Sequence, residues 1–234
     1  MTAIAIFVKT PGLSPIKTRL AASLGRARAE EWHRLAAQAI GERAETAAVG
    51  PVYFAVAEAG ALDHPLWATL PRLAQGEGGL GERMQRVLDQ LIERHGSGLL
   101  LGADTVQFRL QHLRQASAWL ADSPARWVLG PASDGGFWTF GSNRRLPADR
   151  WKSVRYSQCD TRQNFEAGLI DAGQGLLLDE LSDLDEAADL PRVLKELDEE
   201  HRQAGGALGA AIDCLKALQQ PGAASSAGGS ASLS

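Results

Sequence analysis

A chain of 234 residues, 44% hydrophobic and 22% charged, has the make-up of a globular protein with one sizeable core, and its length suits a single α/β domain. A net charge of -4 excludes a protein that relies on a broad basic face to hold nucleic acid, while leaving small anions open at local lysine and arginine clusters. Two cysteines without C-x-x-C spacing and five scattered histidines exclude a disulfide framework or an imidazole metal site; no stretch reads as a signal or membrane span, so a cytoplasmic location is expected.

In chain order, residues 3–8 form an apolar run that reads as a buried strand, followed directly by Lys9-Thr10-Pro11-Gly12-Leu13-Ser14-Pro15-Ile16-Lys17-Thr18-Arg19. Two prolines and a glycine stop the strand, and helical periodicity resumes only near Lys17, so Lys9, Lys17 and Arg19 collect at a strand-to-helix turn. Unpaired N–H groups at a helix start, joined by these cations, suit phosphate; the plainer reading is a solvated surface. This loop lacks the G-x-x-x-x-G-K-[ST] spacing, and no G-x-G-x-x-G follows the first strand, which argues against a Walker-type ATPase and an ordinary dinucleotide fold.

Residues 28–48 then predict a helix, 51–57 a strand, 80–94 a helix, 98–102 a strand, 109–120 a helix, and 126–129 and 137–141 two more strands. A helix over 160–172, a strand over 175–178 and a helix over 184–200 complete the series. The alternation predicts an α/β fold, a three-layer α/β/α sandwich whose sheet is mostly parallel. Residues 1–220 are expected to be the one domain, and 221–234, nearly all small residues, a disordered tail.

In open parallel sheets, ligands lie at the carboxyl ends of the strands. Asp104 follows the apolar 98–102 strand, where a carboxylate is costly unless it meets a cation such as Mg²⁺ or Mn²⁺, and Asp183 or Asp185 can supply a second carboxylate. The competing reading is helix capping by these acids. Asp134-Gly135-Gly136 fits both a β-turn and a close approach to ligand, with Asp134 as acceptor or base toward a substrate hydroxyl. The glycine-rich 75–81 segment suits packing against a flat base, with Gln75 at its edge; a surface loop is the alternative.

Taken together, Phe7-Val8-Lys9, Lys17-Thr18-Arg19-Leu20, Leu80-Gly81-Glu82-Arg83-Met84, Gly102-x-Asp104, Gly130-Pro131-x-x-Asp134-Gly135-Gly136-Phe137 and Asp183-x-Asp185-x-x-x-Asp189-Leu190 resemble the DUF2064 family. That family is also described as radical-SAM/selenodomain-associated transferase 1, or the arsenosugar-biosynthesis glycosyltransferase group. The resemblance runs in order from about residue 3 to about residue 190. It implies a GT-A-like nucleotide-diphospho-sugar transferase fold, related to the guanylyltransferases of molybdenum-cofactor synthesis. Carried over by position, Lys17 and Arg19 face phosphate, Asp104 and Asp183 hold a divalent metal, and Gln75 and Gly81 lie near the nucleobase. Two departures stand out: Ala103-Asp104-Thr105-Val106 lacks the family's proline and its frequent serine, and Ser133 replaces an acid before Asp134.

The implied ligands are a nucleotide or nucleotide sugar and a small-molecule acceptor. Glycosyl transfer with Asp104 and Asp183 on Mg²⁺ or Mn²⁺ is the leading expectation. Nucleotidyl transfer that releases pyrophosphate, and nucleotide binding without catalysis, stay open beside it.

Overall fold

The computed structural model describes residues 1–219, so the tail expected over 221–234 lies outside the described residues. One sheet holds β1 (Thr2–Val8), β2 (Val52–Val56), β3 (Arg72–Ala74), β4 (Ser97–Leu101), β5 (Arg126–Pro131), β6 (Phe137–Ser142) and β7 (Gln174–Leu177), in the order β3-β2-β1-β4-β6-β5-β7. Only β6 runs against its neighbours, pairing antiparallel with β4 and β5. The other pairings are parallel.

The helices are α1 (Thr18–Leu24), α2 (Arg26–Ala47), α3 (Leu80–His95), α4 (Leu110–Leu120), α5 (Ala148–Lys152), α6 (Thr161–Ala167), α7 (Leu190–Glu196), α8 (Glu199–Arg202) and α9 (Gly206–Gln219). Strand side chains alternate between the two faces, which sorts the core. Ile4, Ile6 and Val8 of β1 join the layer of α1, α2, α4, α7 and α9. Ala3 and Ala5 join the opposite layer, where α3, α5 and α6 bring Leu88, Trp151 and Phe165. Both faces are thus covered, as a mostly parallel sheet requires, and the three-layer sandwich stands. Among the described residues no helix is long and apolar enough to cross a membrane.

Parallel register puts the ends of β1, β4, β5 and β7 on one rim, where residues 132–136 turn the chain from β5 into the antiparallel β6. Every loop that carries a predicted site residue opens onto this rim, as the strand-end rule anticipates.

Local differences from the sequence expectations have physical causes. The helix expected over 184–200 breaks up: the Asp189 carboxylate accepts the N–H groups of Asp185 (3.1 Å) and Glu186 (2.9 Å), and α7 begins only at Leu190, with Pro191 in its first turn. The helix expected over 160–172 ends at Ala167, before Gly168. The sequence reading did not include β3, α5 or α9.

Asn143 ties the end of β6 to the α4–β5 turn. It is 3% exposed; its Nδ2 donates to the carbonyls of Asp122 and Pro124 (both 2.8 Å) and Leu120 (3.3 Å), and its Oδ1 accepts the Arg126 N–H (2.8 Å). Asn143→Ala strands these backbone groups, and urea unfolding is expected to show a loss of about 2–4 kcal/mol. A loss within about 0.5 kcal/mol would show that the amide is dispensable.

Candidate functional site

The basic loop after β1 is braced from several sides. Glu58 accepts the Thr10 N–H (3.0 Å), Trp67 Nε1 donates to the Thr10 hydroxyl (3.0 Å), and His33 Nε2 lies 3.0 Å from the Lys9 carbonyl oxygen. Gly12 turns at φ +83°, a left-handed conformation that glycine adopts freely. The Lys9 ammonium donates to the Pro15 carbonyl (3.3 Å), so it stabilises the loop's own curvature. Arg19 stands exposed on the first turn of α1.

Lys17 turns inward. At the N-cap of α1 it adopts φ 42° and ψ 52°, a left-handed conformation uncommon outside glycine. Its ammonium pairs with Asp104 Oδ2 and donates to Asp185 Oδ1 at 2.8 Å. Burial disfavours the charged lysine, but the charges of Asp104, Asp185 and Asp183 outweigh it and hold Lys17 protonated well above the usual lysine range.

The carboxylates come from three loops. Asp104 lies just past β4, and the bare Gly102 gives it room: a Cβ there would sit 3.2 Å from Asp104 Oδ1. Asp183 lies beyond β7 and accepts a hydrogen bond from the Thr105 hydroxyl (3.1 Å). Burial first, then the charge of Asp104, pushes the Asp183 carboxyl up to about 8, against the lowering pull of Lys17. The charge of Asp134 adds to the rise, so this residue also contributes to the field of the cluster.

Asp134 Oδ1 accepts the Gly136 N–H (2.8 Å), a turn-forming bond that leaves the side chain exposed at the rim. Gly135, at φ +89°, presses on the Cys159 carbonyl, where a Cβ would overlap it, and accepts the Arg162 N–H (2.8 Å). The turn and the close-approach readings of this motif therefore describe one structure.

Gln75 and Gly81 sit on the far side of β1. Gln75 is 4% exposed, and its amide nitrogen is engaged by the carbonyls of Ala55 (2.8 Å) and Val8 (3.3 Å), which ties β1, β2 and β3 together. Base recognition by that nitrogen would compete with these bonds. Arg86 donates to the Gln75 (2.6 Å) and Glu77 (3.0 Å) carbonyls, and Arg83 to Gly78 (2.9 Å), so the glycine-rich loop is pinned from α3. Gly81 is a packing residue: a Cβ would meet the Trp151 carbonyl at 2.5 Å and the Tyr156 ring at 2.7 Å.

The structure thus brings Lys17, Asp104 and Asp183 together with Asp185, sets Asp134 at their edge, and places Lys9, Arg19, Gln75 and Gly81 around them without direct contact. Thr105 was missed, although its position next to Asp104 is a signal in itself. Among the described residues, no three His, Cys, Asp or Glu side chains are arranged to enclose a metal. Asp104 and Asp185 already hold a cation, the Lys17 ammonium. Carboxylate oxygens of this kind, completed by substrate phosphates, are the chemical type that a hard divalent ion takes.

The fold has relatives among solved structures. A provisionally named nucleotide-diphospho-sugar transferase from Desulfovibrio desulfuricans superposes with a TM-score of 0.80 at 22% identity, over 93% of this chain and 96% of that one. A CMP:2-keto-3-deoxy-manno-octonic acid synthetase complexed with CTP gives 0.50 at 12% identity, over 82% and 97%. The bifunctional IspDF of Campylobacter jejuni gives 0.51 at 8% identity, over 85% of this chain and 55% of that one. These likenesses show a nucleotide-diphospho-sugar transferase fold. No curated protein sequence matches the chain. The model of the family described as "Uncharacterized protein conserved in bacteria" (DUF2064) matches residues 36–158, more than half of the sequence, and the chain belongs to that family.

Proposed function

We propose that the protein transfers a glycosyl group from a nucleotide-diphospho-sugar to a small-molecule acceptor, using Mg²⁺ or Mn²⁺ at Asp104 and Asp183. The observation that carries this reading is the Lys17 ammonium set among Asp104, Asp185 and Asp183 at the carboxyl rim of the sheet. Opposite charges are poised there to grip a diphosphate. The cation, when bound, neutralises charge on the departing diphosphate.

The chain's own groups do the rest. Lys17 exchanges a carboxylate partner for phosphate oxygen, and Arg19, two residues further on and exposed, adds a forked donor. Lys9 stays with its loop and contributes field. Asp134, fixed by its turn, accepts the acceptor's proton or orients its hydroxyl. The glycine-rich loop with Gln75 and Gly81 borders the base.

A second reading is nucleotidyl transfer, in which the same groups brace an α-phosphate and pyrophosphate leaves. The likeness to a synthetase complexed with CTP supports it. Identifying the released product, nucleoside diphosphate or pyrophosphate, separates the two.

Nucleotides and nucleotide sugars screened by thermal shift are expected to stabilise the protein, by about 2.7 kcal/mol at 100 times Kd, and more with Mn²⁺ than without. Asp104→Asn is expected to erase the Mn²⁺-dependent part; an undiminished Mn²⁺ effect in that variant would overturn the cation assignment.

The raised Asp183 carboxyl also has a pH signature. The folded state holds this proton more tightly than the unfolded state, so its stabilising contribution is full below the ordinary carboxyl value of 3.8 and is lost as pH rises toward 8. Denaturant unfolding of the ligand-free protein at pH 5, 6.5 and 8 is expected to show this decline, and Asp183→Asn to flatten it. Equal slopes in the two proteins would contradict the assignment.

A further inference from the structure

Building on the reading of Asp104 and Asp183 as cation ligands, we infer that Glu196, the last residue of α7, is a positioning residue that holds Asp183 beside Asp104. It touches neither acid. Three donors converge on its carboxylate: the Ser182 N–H (3.0 Å) and Gln107 Nε2 (3.0 Å) on Oε2, and the Ser182 hydroxyl on Oε1. Gln107 Nε2 also donates to the Ser182 carbonyl (2.5 Å).

The placement of these groups gives the arrangement its meaning. Ser182 immediately precedes Asp183, while Gln107 lies three residues past Asp104 on the loop that also carries Thr105. The Thr105–Asp183 bond and the Gln107–Ser182 bond lace the two acid-bearing loops together, and Glu196 receives both strands of the lacing. Ser182 and Gln107 are each 2% exposed, so their polar atoms have little water to turn to if Glu196 is withdrawn.

A strap is needed because the loops repel. The charge of Asp104 works against an ionised Asp183, and the 178–186 segment has little regular structure of its own to resist separation. Leu181 is fixed at one end by its bridge to Ala132, and Asp189 ties down residues 185 and 186 at the other. Glu196 secures the middle, next to the acid itself, and anchors it to α7, whose Val193 is buried in the core.

The chemistry of the partners dictates the side chain. The Ser182 N–H and Gln107 Nε2 can only donate and share Oε2, while the Ser182 hydroxyl donates to Oε1. Glutamine, nearly the same shape, keeps one acceptor oxygen but loses the negative charge that strengthens these bonds, and its NH₂ forces the Ser182 hydroxyl to turn and accept.

The test uses the full chain with pyrophosphate as the probe. Calorimetry gives its affinity in EDTA and with Mn²⁺, and the ratio is the cation-dependent gain. Wild type is expected to show a clear gain. Glu196→Gln is expected to lose ten- to hundredfold of it, as removal of groups that orient metal ligands does, while affinity in EDTA stays within about twofold. A merely structural role would lower unfolding temperature without splitting these two affinities. Ser182→Ala keeps the backbone N–H on Glu196 and removes only the hydroxyl; it is expected to lose a smaller part of the gain, and it serves as the test if Glu196→Gln does not fold. If wild type shows the gain and the folded variants keep it whole, the role given to Glu196 is overturned while the cation reading stands. If wild type shows no gain, the cation reading itself falls, and the role of Glu196 with it.

Discussion

Three carboxylates cannot gather at one rim of a sheet without a positive charge among them, and Lys17 supplies it. Asp104 arrives on one loop and Asp183 and Asp185 on another, and each would push the others apart as ions. The lysine ammonium makes the assembly tolerable in the absence of ligand. Its left-handed backbone, sparsely populated for such a residue, is the conformation that starts α1 while turning the side chain inward. Removing one member of such a set leaves the remaining charges uncompensated, so the residues stand or fall as a unit.

The fold delivers these groups by ordinary means. Parallel strands end on a common rim; β5 delivers the Asp134 turn to it, and the single reversed strand, β6, starts from that turn. Small residues open the necessary space: Gly102 beside Asp104, Gly135 beside Cys159, Gly81 beside Tyr156. The segment matched by the family model contains Asp104 and Asp134, whereas Lys17, Asp183 and Glu196 lie outside it, so the candidate site draws on both portions of the chain.

Much of the architecture was legible before any coordinates. The apolar runs that became β1, β2, β4 and β6 are bounded by strong punctuation, and the rule that ligands gather at strand ends led to Lys17, Asp104, Asp134 and Asp183. The periodicity of α9 was also visible in principle, since Leu208, Ile212 and Leu215 repeat at helical spacing. What could not be read was tertiary. Nothing in the local sequence says that the Gln75 amide would be engaged by β1 and β2, or that Asp189 would cap residues 185 and 186 and break a helix whose composition favoured it. Glu196 looks like any acid at the end of a charged helix until Ser182 and Gln107 are seen to share it.

The wedge of Gly135 against the Cys159 carbonyl has a mechanical corollary. Because no side chain can be interposed and the Arg162 amide locks the contact from the other side, the tip bearing Asp134 and the segment from 155 to 162 behave as one stiff piece. The position of the Asp134 turn relative to that segment is therefore set by a backbone-to-backbone abutment instead of by adjustable side chains.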